Sequence, residues 1–303
     1  MASTHKSSSL LPGVAFVTGG GRGLGLAIAV SFAKSGARGV VIVDIQDDET
    51  MASAKAEVES HGNQASFCGI QFMLCLLFSL LTGNWALEQV KCLPIRANVT
   101  DEKDFESAIA KTVSEFGRID YTANFAGVGG PHKPVSEITV EEWEKVMAVN
   151  TTGVFISTKH QLLQMMKQDP IEWEAGRVAI RGSIVNCASV NSVQAMAGTV
   201  HGGNKVLTFQ PRPLKAALEA RQHGIRVNAL SPGFILTKIA EPIVKSDPQV
   251  FEAWKSFEAR QGRTGKPEEI GDAVALLSSN QMSLVNGQNL VVDGGFTVNT
   301  TTY

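Results

Sequence analysis

The residues Thr18-Gly19-Gly20-Gly21-Arg22-Gly23-Leu24-Gly25 lie between two apolar runs, Val14-Ala15-Phe16-Val17 and Leu26-Ala27-Ile28-Ala29-Val30. Glycines in such a junction allow a tight turn, let backbone N–H groups approach a phosphate, and let a helix pack on a strand. A helix that starts there offers unpaired N–H groups and the positive end of its dipole to a pyrophosphate. The same glycines also fit a plain turn. The next apolar run, Gly39-Val40-Val41-Ile42-Val43, sharpens the chemistry because it ends on Asp44. An acidic residue near that distance suits the hydroxyls of an adenosine ribose. No metal site is expected. Cys68, Cys75, Cys92 and Cys187 lack ligand spacing, and His132, His160, His201 and His223 are scattered.

Elements that would position these groups alternate along the chain. The first apolar run reads as a buried strand and the second as the start of a helix. Met51, Ala54 and Val58 place a helix over Asp47–Ser60. Strands are expected at Leu93–Val99, Ile119–Phe125, Ser183–Cys187, Ile225–Leu230 and Asn289–Val292, and helices at Asp101–Phe116, Leu214–Gln222 and Pro267–Ser278. Thr139–Lys167 holds one or two more helices. Asp101 is a natural cap, and Thr139 with Glu142 spells a capping box. Such alternation predicts a mostly parallel sheet with helices on both faces, with ligands beyond the carboxyl ends of the strands.

The totals exclude several classes. A chain of 303 residues with 44% hydrophobic residues supports a substantial core. A net charge of -2 gives no reason to expect nucleic acid or an acidic membrane surface. The four cysteines fit a reduced compartment, and the polar Met1–Ser9 stretch carries no signal-peptide core, so a cytoplasmic protein is expected. The sequons at Asn98, Asn150 and Asn299 are then incidental.

Together the motifs resemble the classical short-chain dehydrogenase/reductase family from about Pro12 to Val298. Thr18-Gly19-x-x-x-Gly23-x-Gly25 is similar to the family's cofactor loop, and Asn124-Phe125-Ala126-Gly127 to its Asn-Asn-Ala-Gly motif, with Phe125 as a departure. Asn150 matches its helix asparagine, and Ser189 in Asn186-Cys187-Ala188-Ser189 its catalytic serine. Ile225-Arg226-Val227-Asn228, Ser231-Pro232-Gly233 and Val291-Val292-Asp293-Gly294-Gly295 match later strands and loops. The resemblance implies a single doubly wound α/β domain of Rossmann type over residues 12–299, after a disordered segment 1–11. It also implies hydride transfer between a nicotinamide and a carbonyl or alcohol. In the family a tyrosine handles the substrate proton, a lysine four residues on lowers its pKa and holds the ribose, the serine polarises the carbonyl, and the asparagine holds a water.

Here the tyrosine is missing. In Val200-His201-Gly202-Gly203-Asn204-Lys205, His201 and Lys205 keep the spacing, but His201 sits closer to Ser189 than the family's tyrosine does. An unperturbed histidine titrates near about 6.5, and a cationic Lys205 would push it toward its neutral form. Gln210-Pro211-Arg212-Pro213 then interrupts the helix the pair should begin, at about 3 kcal/mol for each interior proline. Residues 200–213 therefore read as a corrupted stretch, from a frameshift or a wrong gene model. Residues 69–90 read as an insertion. No Asp, Glu, Lys or Arg occurs between Glu59 and Glu88, and the apolar run Ile70–Leu81 is shorter than the roughly 20 residues that span a bilayer. A buried helix or a retained intron fits it, with a membrane-contacting helix as the rival. Tyr121 is a poor substitute for the lost tyrosine, because it lies well before its strand's carboxyl end.

The expected catalytic set is Ser189, Lys205, Asn150 and His201. The expected cofactor set is Gly19, Gly23, Leu24, Gly25, Asp44, Asn98, Asn124, Ala126, Gly127, Lys205, Gly233, Ile235 and Thr237. Asp44 favours NAD by repelling a 2′-phosphate, while Arg22 keeps NADP open. Residues 237–262 read as a substrate lid made apolar by Ile239, Ile243, Val244, Phe251, Trp254 and Phe257, although ordinary packing fits them equally. An apolar lid implies a small hydrophobic alcohol or ketone as substrate. The wording of Gly182–Ser192 resembles the family's fungal secondary-metabolism members. The family's dimers and tetramers imply a homo-oligomer through Thr139–Lys167 and the helix after Pro213. Beside the enzyme stand two other readings: a dinucleotide-binding pseudoenzyme, and the broken product of an enzyme's gene.

Overall fold

The computed structural model describes residues 9–61, 90–131, 134–173, 175–194, 212–237, 244 and 248–298. Seven strands run through it: β1 Val14–Thr18, β2 Gly39–Asp44, β3 Lys91–Arg96, β4 Tyr121–Asn124, β5 Gly182–Cys187, β6 Ile225–Pro232 and β7 Asn289–Val292. They form one sheet in the order β3-β2-β1-β4-β5-β6-β7, and every pairing is parallel. Parallel strands covered on both faces are buried along their length and read as near-continuous apolar runs, broken only by polar groups that find hydrogen bonds. All five residues of β1 and all eight of β6 are buried accordingly.

Eight α-helices connect the described strands: α1 Gly23–Lys34, α2 Asp48–His61, α3 Glu102–Phe116, α4 Val140–Met147, α5 Val154–Met166, α6 Arg212–Arg221, α7 Pro248–Gln261 and α8 Pro267–Ser278. Strand alternation sends neighbouring side chains to opposite faces. Ala15 and Val17 join the core under α1, α2 and α8, while Phe16 joins the core under α3, α5 and α6. Phe16 meets Phe105 of α3 edge-to-face, ring centroids 5.7 Å apart. Truncating so buried a ring to alanine costs about 3–5 kcal/mol.

The capping predictions hold. Asp101 accepts from the N–H groups of Lys103 and Asp104, and Thr139 and Glu142 form the reciprocal box that starts α4. Between α4 and α5 the expected helical stretch widens into a π-helical turn, Ala148–Gly153. The expected strand at Leu93–Val99 ends early, at Arg96. Ala97 and Val99 are buried in the α3-side core; the Ala97 N–H still donates to the Asp44 carbonyl at the end of β2, and Val99 lies past that last bond. The helix expected from Leu214 begins at Arg212, so Pro213 is its second residue, where a missing N–H costs no helical bond. Leu11 falls inside the segment expected to be disordered, yet it belongs to the core. Leu11 is fully buried and its N–H donates to the Ser35 carbonyl. Val90, at the end of the expected insertion, is also buried in the core, while residues 69–89 lie outside the described residues.

Candidate active site

Register lines up Val43, Thr18, Asn124, Asn186, Ala229 and Asn289 in one row across β2, β1, β4, β5, β6 and β7. Most of the expected site residues lie at or just beyond that row, at the carboxyl edge of the sheet. The order of strands reverses between β1 and β4, which opens a crevice there.

The glycine turn fills one wall of this crevice. Gly19 adopts φ 71° and its N–H donates to the Val43 carbonyl at 2.8 Å. A Cβ on Gly25 would lie 2.0 Å from the Gly19 carbonyl oxygen, so the turn closes only with glycine there. Arg22 is extended, no side chain caps α1, and its first turn holds no acidic residue. Its leading N–H groups are therefore available to an anion. Leu24 packs against the core below.

Asp44 ends β2 beside the turn. Its Oδ2 accepts from the Gly21 N–H at 3.0 Å, and its Oδ1 from the Ile45 N–H at 2.8 Å and the Gln46 amide at 3.4 Å. The carboxylate thus holds the glycine loop while keeping lone pairs for further donors. Asn98 is exposed, and its Oδ1 accepts from the N–H and hydroxyl of Thr100.

The opposite wall follows β4. Ala126 donates its N–H to the Thr18 hydroxyl at 3.2 Å, and its Cα lies 2.8 Å from where a Gly19 Cβ would stand. Gly127 is exposed beside it. Asn124 turns its side chain away from the crevice into a buried amide network with Gln161 and Asn186. Asn150 occupies the π-helical turn. It accepts from the Val128 N–H and donates to the Val128 carbonyl, both at 2.9 Å.

Ser189 stands half-buried past β5. Its Oγ accepts from the Asn191 N–H at 3.2 Å, which leaves the hydroxyl proton to donate elsewhere. The loop after β6 closes over the turn. Gly233 donates to the Val292 carbonyl, Ile235 bridges to Gly265, and the Thr237 methyl lies 3.9 Å from a Cβ placed on Gly23. His201 and Lys205 lie outside the described residues. Tyr121 is the sole tyrosine among the described residues, and it begins β4 at the far end of the strand. Its hydroxyl bonds the Gly13 backbone, its ring stacks on Phe32, and burial pushes its phenol far above the usual range. It offers no proton to the crevice.

Part of the expected lid is tightly packed. Phe257 of α7 stacks on Phe234 at 4.1 Å, Trp254 meets the same ring edge-on at 5.9 Å, and Phe296 lies against it at 5.0 Å. Gln261 accepts from the Phe234 N–H and donates to its carbonyl. Val244 is buried, Phe251 is exposed under Lys255, and Ile239 and Ile243 lie outside the described residues. Trp254 and Phe257 therefore serve packing.

The fold also brings together groups that looked scattered. His160 on α5 meets Glu102 and Glu106 of α3, but Lys159 already binds Glu102 at 2.6 Å, which makes the cluster an ion-pair network. The i, i+4 spacing of the two glutamates was the available signal. Cys92 is buried and its thiol is pushed up to about 12, first by desolvation and then by Glu59. It is a packing residue.

Family models cover most of this frame. One described as enoyl-(acyl carrier protein) reductase matches residues 84–297, and one described as short chain dehydrogenase matches residues 13–73. The chain belongs to the short-chain dehydrogenase/reductase family. It is an oxidoreductase of that family, whose members generally use NAD or NADP. Short-chain dehydrogenase anuF of Penicillium roqueforti is 32% identical, over 95% of this chain and 97% of its own. Momilactone A synthase of Oryza sativa subsp. japonica is 35% identical, over 98% and 95%. The crystal structure of levodione reductase superposes with TM-score 0.78 at 28% identity, covering 95% of this chain and 99% of its own. The resemblance read from the motifs is thus confirmed in family and fold. Residues 74–83, inside the uncharged run, fall between the two model matches.

Proposed function

We propose that this short-chain dehydrogenase/reductase interconverts a ketone and a secondary alcohol on a small hydrophobic metabolite, with NAD preferred over NADP. The Asp44 carboxylate supporting the glycine turn carries the reading. It sits where a ribose would lie and adds negative charge where a 2′-phosphate would need the opposite. The glycine cradle, whose Gly19 and Gly25 positions have no room for a Cβ, fits a dinucleotide approached by backbone alone. When bound, the nicotinamide supplies or accepts the hydride. Ser189 directs its free hydroxyl proton to the substrate oxygen and stabilises charge there. Asn150 holds the loop after β4 through Val128. His201 and Lys205 remain assigned to proton transfer and ribose binding from the sequence. Asn98, Ala126, Gly127, Gly233, Ile235 and Thr237 shape the rest of the cofactor site, and Asn124 supports it from beneath through its amide network.

The substrate class rests on relatives named for borneol and momilactone. Fungal relatives support a place in secondary metabolism. Exposed Phe155 and Leu163 on α5 and Leu218 on α6 support pairing of two copies through these helices. Among the described residues, no helix is long and apolar enough to cross a membrane. A second reading, a pseudoenzyme, draws on the sealed position of Tyr121. Calorimetry with NADH and NADPH, followed by ketone turnover on the purified chain, tests both. Binding with turnover supports the enzyme, binding without turnover supports the pseudoenzyme, and no binding overturns both.

A further inference from the structure

Two carboxamides of one helical run hold the chain segment that follows β4. Asn150, in the π-helical turn, takes both polar groups of Val128. Eleven residues on, Gln161 of α5 takes Asn124. Its Oε1 accepts from the Asn124 Nδ2 at 2.9 Å and its Nε2 donates to the Asn124 Oδ1 at 2.8 Å, a closed pair of amides. The same Oε1 accepts from the Thr122 hydroxyl at 3.0 Å, and the Asn124 Nδ2 also donates to the Asn186 Oδ1 at 2.8 Å. Gln161 is fully buried and Asn124 and Asn186 nearly so.

Burying a carboxamide costs several kcal/mol unless its groups are paired, so this cluster holds one geometry when complete. The spacing also fits. Three helical turns separate Asn150 from Gln161, roughly 16 Å along the axis. The extended stretch from Asn124 to Val128 covers about 13 Å. The helix runs antiparallel to this stretch, gripping it at both ends. Between the grips lies Ala126, whose backbone abuts the glycine turn at Gly19 and bonds Thr18.

We propose that Gln161 is a positioning residue of the active site. Acting through Asn124, it fixes the height of residues 125–128 against the glycine turn on one side and Asn150 on the other. It touches neither substrate nor cofactor. The cofactor half of this assignment rests on the proposed dinucleotide site; the loop-holding half does not.

The test uses the full chain with Gln161→Met, Gln161→Glu and, as a stability control, Thr112→Val. Thr112 is buried on α3, where its hydroxyl bonds only the Ala108 carbonyl in its own helix. Q161E keeps the shape and the acceptor but puts a carboxyl in place of the amide donor to Asn124, so it disturbs the pair by a second route if Q161M fails to fold. Backbone amide exchange over residues 125–128 and the NADH Kd are read together with Tm. Both Gln161 variants should speed exchange at 125–128 and raise the NADH Kd about tenfold or more. T112V should lower Tm with both readouts within about twofold of the parent. Gln161 variants that exchange and bind like the parent overturn the proposal, as does faster exchange spread evenly over the sheet. A parent that binds no dinucleotide overturns the proposed function and the cofactor half with it. Exchange at 125–128 then decides the loop-holding half on its own.

Discussion

Replacing Asp44 separates two roles that one carboxylate fills. Its Oδ2 anchors the Gly21 N–H at 3.0 Å, and its charge faces the ribose end of the proposed cofactor site. Asp44→Asn keeps one carbonyl oxygen. That oxygen can stay on Gly21, leaving the Ile45 N–H, whose bond is solvent-exposed, to water. The lost bond is then nearly free, because water replaces it. The lost charge is not: at about 5 Å and an effective dielectric near 20, a unit pair interacts by about 3 kcal/mol, reduced here because Asp44 is half-exposed. D44N should therefore bind NADH within about threefold of the parent while NADPH gains about tenfold. Asp44→Ala removes the anchor too. A charge-assisted bond to a backbone N–H is worth about 1.5–3 kcal/mol, so NADH affinity should fall about tenfold or more. Calorimetric Kd values for both dinucleotides on the three proteins decide the matter. A parent that prefers NADPH, or a D44A variant that binds NADH as tightly as D44N, would refute the reasoning.

Three further outcomes are expected. Arg226 is buried and donates to the carbonyls of Leu277, Ser278, Ser279 and Val285, which tie off the end of α8, so Arg226→Met should destabilise by about 4 kcal/mol in urea unfolding. Ser189→Ala should lower kcat about a hundredfold with little change in NADH Kd, since it removes the proposed donor to the substrate oxygen and leaves the proposed cofactor walls intact. The bidentate Arg263 and the Lys266 N–H hold Glu269 down at about 2. Its contribution to stability is present above about 4.5, its ordinary value, and is lost as pH falls toward about 2, so acid unfolding of Glu269→Gln should show a shallower pH dependence over that window.

Legibility followed locality. The turn from β1 into α1, the caps at Asp101 and Thr139, and both ends of α8 and β7 were readable because each depends on residues close in sequence. Val99 shows where that stops. The apolar pattern reports burial, and burial under α3 looks the same in sequence as burial in a strand. Asn124 carried a motif that pointed to the cofactor, yet its side chain bonds Gln161 from far along the chain. No local pattern marks Gln161, although an amide on the apolar side of a helix was a hint. The π-helical turn at Asn150 left no trace that propensities register.

The loop that carries Gly233, Ile235 and Thr237 is moored to the last strand. Gly233 bonds the Val292 carbonyl, and Phe296 is wedged under Phe234 and Phe257 with the Arg260 guanidinium over it. A ribosome reading from the amino end therefore releases the glycine turn and Asp44 early, but this wall of the crevice has nothing to lean on until the stretch through Phe296 has been made. A nascent chain, or one ended by a stop codon ahead of Asn289, carries half a binding site.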